Sequence, residues 1–190
     1  MFRTIYIVFA LQAFSTISRS TPQEGSPIAV DLFPEKLILY KHDGWNHAQI
    51  YDGHKEPVFI TRPGEAPNTI ALDTPLGLFQ RDVYLTPVFG SCDPVTYRDT
   101  DNFFFTFKNG VWTLSNENPH GWGDYTFQPA SPSSLLGDIK TIDSPKYAVA
   151  RITNENPYTI KYKEVFSLQQ SYLTAFMIVA DEHKARCYPK

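Results

Sequence analysis

Between residues 103 and 115, large apolar side chains recur at every second position on either side of an Asn-Gly pair. Asn109-Gly110 is what a two-residue type I′ turn prefers, because both central residues of that turn need positive φ. With this pair as the loop, Lys108 faces Val111, Phe107 faces Trp112, Thr106 faces Thr113 and Phe105 faces Leu114. The period of two then puts Phe103, Phe105, Phe107, Trp112 and Leu114 on one face, toward a core. Phe104, Thr106, Lys108, Val111, Thr113 and Ser115 fall on the other. Elsewhere short apolar or alternating runs are punctuated by turn dipeptides, among them Asp43-Gly44, Asp52-Gly53, Pro63-Gly64, His120-Gly121 and Gly137-Asp138. The strand candidates are 36–40, 46–51, 57–61, 69–72, 76–80, 83–88, 103–108, 111–115, 125–128, 147–153 and 158–165.

The pattern changes in residues 167–186, SLQQSYLTAFMIVADEHKAR. At helical spacing Leu168, Tyr172, Ala175, Phe176 and Val179 share one face, and Leu173, Met177 and Ala180 a neighbouring one. Only Ser171, Thr174 and Glu182 mark a polar side. A helix apolar nearly all round must be buried nearly all round. Ser167 with Gln170 fits a capping box, His183, Lys184 and Arg186 suit the negative end of the helix dipole, and Pro189 stops the helix. The run 173–180 taken alone also suits a buried strand; length and caps favour the helix. The run is far short of the ~20 residues a bilayer span requires. Short strands followed by one buried helix predict a mainly β fold, a closed or nearly closed antiparallel β-barrel of about 11–12 strands around a C-terminal helix.

Composition adds a compartment. Residues 1–20 carry Arg3, an apolar run and small residues at Ser18 and Ser20, the pattern of a secretory signal peptide. Residues 21–34 then form a polar, proline-containing lead that reads as flexible, and 35–190 a single domain. Cleavage after Ser20 removes two basic residues, Arg3 and Arg19, and no acidic one, leaving 15 basic against 20 acidic side chains. That sign argues against nucleic acid or an anionic membrane as a general partner. Cys92 and Cys187 are the only cysteines; in an exported chain such a pair forms one disulfide, or stays as two free thiols. No Asn-x-Ser/Thr sequon is present.

Few residue groups point to chemistry. His42, His47 and His54 lie near Asp43 and Asp52, but His42 and His47 point to opposite faces of an extended strand and His54 follows a turn, so no metal site is predicted. No nucleophile elbow and no Gly-rich phosphate loop occurs. Asp181 and Glu182 diverge around the helix, and Asp99 and Asp101 read as turn residues, so neither pair suits acid–base catalysis. His120-Gly-Trp-Gly-Asp124 places Trp122 between two glycines, where a loop can present it to a partner or fold it back onto the core.

Residues 45–60, WNHAQIYDGHKEPVFI, and the closing strands 147–165 with the apolar 167–183 resemble the tubby C-terminal-like superfamily, in particular its LURP-one-related branch. The resemblance implies a closed barrel with the helix through its middle. Tubby-type phosphoinositide binding is not implied, because Lys161, Lys163 and Lys184 are scattered along the sequence. The expectation is a secreted, monomeric, non-enzymatic protein without cofactor. It acts through protein–protein interaction, on the pattern of a host-directed microbial effector, with Trp45, His54 and Trp122 as candidate binding residues. A lipid or small-ligand carrier and a secreted hydrolase on a β scaffold are the alternatives.

Overall fold

In a computed structural model the residues described are 35–78, 80–117, 124–163 and 170–189. The expected signal peptide, the lead, Trp122 and the Ser167 cap fall outside them.

Thirteen strands form one antiparallel sheet. In chain order they are β1 (Lys36–Tyr40), β2 (Gln49–Tyr51), β3 (Pro57–Pro63), β4 (Thr69–Asp73), β5 (Gln80–Tyr84), β6 (Phe89–Gly90), β7 (Val95–Arg98), β8 (Phe103–Lys108), β9 (Val111–Asn116), β10 (Tyr125–Pro129), β11 (Gly137–Thr141), β12 (Ala148–Glu155) and β13 (Tyr158–Tyr162), followed by α1 (Gln170–Cys187). The order across the sheet is β5-β4-β3-β2-β1-β13-β12-β11-β10-β9-β8-β7-β6, so the first and last strands are neighbours near its middle.

The Asn-Gly hairpin has the expected register, from Lys108 opposite Val111 to Phe103 opposite Asn116, and Asn109 and Gly110 take φ of 52° and 79°. Its five expected core residues are all buried. The expected strands 76–80 and 83–88 are corrected: residues 75–78 make a turn and β5 begins at Gln80. Three segments not expected as strands, β6, β7 and β11, join the sheet. Gly137 opens β11 because a Cβ there would lie 2.7 Å from the Gln128 carbonyl oxygen, so the turn reading of Gly137-Asp138 yields to a close strand–strand approach.

The sheet does not close through a continuous ladder. Its free sides approach at one isolated bridge, Val83 opposite Asp99, where the Thr100 N–H donates to the Asp82 carbonyl at 3.0 Å. Every α1 residue from Ser171 to Asp181 is buried. Phe176 packs against Phe105, Trp112 and Phe127 at ring-centre distances of 6.1, 5.6 and 5.5 Å, and Tyr172 lies 4.2 Å from Phe103. Leu37, Ile50 and Ile160, from the middle of the sheet, are wholly buried too. Among the described residues no helix is long and apolar enough to cross a membrane.

Phe176→Ala is expected to lower stability by about 3–5 kcal/mol, the range for a fully buried aromatic. Urea unfolding measures it, and a loss below about 1 kcal/mol would mean that α1 is peripheral.

Candidate functional site

Three polar clusters sit where the apolar interior meets the chain's irregular segments. The first surrounds Asp181, the one acidic residue on the buried stretch of α1. A 3-10 turn, Trp45–His47, follows Gly44 at φ 91°. Thr61 holds that turn to β3, accepting from the Ala48 N–H at 2.7 Å and donating to the Trp45 carbonyl. The Trp45 indole N–H then donates to Asp181 Oδ2 at 2.9 Å, and the Lys41 ammonium reaches the same oxygen at 2.6 Å. Tyr158 donates its hydroxyl to Oδ1 and stacks on Trp45 with ring centres 6.1 Å apart. Burial alone would raise the Asp181 carboxyl, but the bonds from Lys41, Tyr158 and Trp45 hold it below the usual carboxylate range. With both oxygens taken by donors, Asp181 fastens the helix rather than moving protons.

The second cluster spans the gap in the sheet. Arg81, on β5, points inward and is buried, with Nη1 3.1 Å from Asp99 Oδ2 and Nη2 2.7 Å from Asp101 Oδ2, its guanidinium lying 4.8 Å from the centre of the Phe103 ring. Asp99 Oδ1 accepts from the N–H groups of Asp101 and Phe103 at 2.9 and 3.0 Å.

The third closes the C-terminal end of α1. Cys92 and Cys187 form a disulfide with Cα atoms 5.7 Å apart. Arg186 donates to the Ser91 carbonyl at 2.7 Å and to the Tyr97 hydroxyl. His183 is enclosed by Phe107, Trp112, Tyr188 and Tyr97, with ring centres 4.9, 5.1, 5.9 and 6.1 Å away. Its Nδ1 lies 3.2 Å from the Tyr97 hydroxyl, and its Nε2 finds no hydrogen-bond partner among the described residues.

Of the sequence candidates, Trp45 is buried and spends its N–H on Asp181, so its indole is turned inward. His54 is exposed in the turn after Asp52, whose carboxylate accepts from the His54 and Glu56 N–H groups at 2.8 and 2.9 Å. His42 and His47 are also exposed, and among the described residues no group of three or more His, Cys, Asp or Glu side chains is placed to hold a metal. Asp99 and Asp101, expected as turn residues, are the partners of a buried arginine. No sequence pattern pointed to Arg81, because its phase depended on where β5 began. An open groove of about 550 Å³ runs between Asn46, Glu65, Asn68 and Glu182. Burial raises the Glu182 carboxyl there.

No family model and no curated protein matches the chain. Among solved structures it is similar to the X-ray structure of an Arabidopsis thaliana protein, AT5G01750, of the LURP-one-related family. Identity is 10% and the TM-score 0.40, over 79% of this chain and 91% of the other. The likeness is one of fold alone and brings no activity, ligand or partner with it.

Burial, and then Arg186, push the His183 imidazole down from 6.5 to about 4, against a pull from Asp93. Between those values the unfolded chain takes up a proton that the folded chain refuses, so this group lowers stability as pH falls from 6.5 to 4, by up to about 3 kcal/mol. Asp99 works in the opposite sense: burial pushes it up to about 6 despite Arg81, so its ionisation lowers stability as pH rises from 3.8 through that value. Urea midpoints taken from pH 7 to pH 4.5 should therefore fall less steeply in His183→Phe than in the wild type, and parallel curves would refute the assignment.

Proposed function

We propose that the protein is exported through its first 20 residues and acts outside the cell, without catalysis, by binding another protein. The host-directed effector role read from the sequence is the matching biological setting. The proposed scaffold is a nearly closed barrel, with α1 inside it and the sheet gap latched by Arg81. The observation that carries the reading is the turn between β4 and β5. Leu76 and Leu78 stand 81% and 83% exposed at its tip. The turn is ordered, since Gly77 takes φ 66° and donates its N–H to the Thr74 carbonyl at 2.8 Å, while the Leu78 N–H donates to Thr74 Oγ1 at 3.0 Å. Two leucines held outward on a fixed turn are chemistry for a partner's apolar pocket. The disulfide is compatible with an oxidising, extracellular setting. The filled interior around α1 favours surface contact over carriage of a ligand inside.

The test is cross-linking of the purified chain in the extracellular fluid into which it is released. The wild type should capture a protein that Leu76→Asp/Leu78→Asp retains about tenfold less well, with thermal midpoints unchanged. Equal capture by the variant would overturn the role of the turn.

A further inference from the structure

The outward face of the sheet carries a charge pattern that stability does not explain. Lys36 on β1 lies directly opposite Lys161 on β13, and Lys161 directly opposite Arg151 on β12. All three point outward, since their neighbours Leu37, Ile160, Ala150 and Ile152 are buried. Like charges facing each other across strands are destabilising. Only Arg151 is neutralised, by Asp138 on β11, with Nη2 2.8 Å from Oδ2. Lys163 and Lys140 also act on Asp138, so both belong to the same face. Among the described residues, Lys36, Lys140, Lys161 and Lys163 make no ion pair, and this basic face belongs to a chain whose net charge is −3.

The same outward row of β1 continues from Lys36 to Ile38 and Tyr40, where an open groove of about 330 Å³ begins. Tyr40 and Tyr51 form two of its walls, with rings 5.7 Å apart and 84° to each other. Lys55 and His42 line it as well, and among the described residues no carboxylate does. Lys55 sits at φ 69°, a left-handed position that glycine or asparagine occupies more easily. The stem of Lys36 runs beside Gly53 in the same turn, which joins the groove to the lysine row.

We infer that this face binds an acidic polysaccharide. Tyrosine rings offer flat apolar surfaces with a polar tip, on which the C–H face of a sugar ring can lie. Lys36 and Lys161 offer two point charges one strand spacing apart, ~4.8 Å, with Lys163 two positions further along the chain from Lys161 and Lys140 on β11, a spread of charge suited to a polymer carrying one acid group per ring rather than to a single anion in a pocket. A purely acidic peptide such as polyglutamate would satisfy the charges and leave the ring walls unused. The site is separate from the leucine turn, and either can fail without the other.

Polygalacturonate is the first probe and dextran sulfate the second, which tells carboxylate from sulfate as the acid group; neutral dextran and polyglutamate are the controls. The wild type should bind at least one acidic polysaccharide, more weakly as salt rises. Lys36→Gln/Lys161→Gln should weaken that binding about tenfold without lowering the thermal midpoint, since it relieves a like-charge contact. Tyr40→Ala should weaken it while leaving the salt dependence unchanged. Undiminished binding by the double variant, polyglutamate binding as tight as that of the polysaccharides, or no binding of either acidic polysaccharide would each overturn the inference.

Discussion

The structure is governed by a helix that has nowhere to turn toward water. An ordinary surface helix buries one stripe; α1 is buried on every side from Ser171 to Asp181. A flat sheet covers only one side of a helix, so the strands must curl, and side chains from the middle of the sheet and from β8 to β10 alike reach the interior. The inward aromatic row of the Asn-Gly hairpin supplies one wall of that enclosure. Most of the apolar burial follows from this single demand.

Hydrophobic enclosure is non-directional and does not fix where the helix sits along its axis. That task falls to directional contacts at the margins. Asp181 ties α1 to the 3-10 turn and to β13, and the disulfide with Arg186 ties its end to the segment before β7. Arg81 does for the sheet what Asp181 does for the helix, drawing the two unpaired sides together around Asp99. Asp181 and Arg81 are buried with opposite charges beside them, the condition under which such groups are tolerated in an apolar interior.

How much of this was legible depended on how local the determining contacts are. The hairpin was readable to the residue because turn and alternation lie within fourteen consecutive positions. The helix was readable from its length and composition. Arg81 was not, because its inward direction rests on Asp99, eighteen positions away, and on β5 starting later than the pattern suggested. Trp45 looked like a surface candidate because nothing nearby shows that its N–H is taken by Asp181, 136 positions away. The basic face was hidden for the same reason: Lys36 and Lys161 are remote in sequence, and strand order alone makes them neighbours.

The position of the disulfide has a further consequence. Cys92 and Cys187 enclose a loop 95 residues long that contains β7 to β13 and nearly all of α1. A single proteolytic cut at any exposed turn inside that loop leaves two fragments still covalently joined. Where the cut falls before β13, the pairing of β1 with β13 also joins the two fragments. Cleavage at one such site is thus uncoupled from separation of the two fragments.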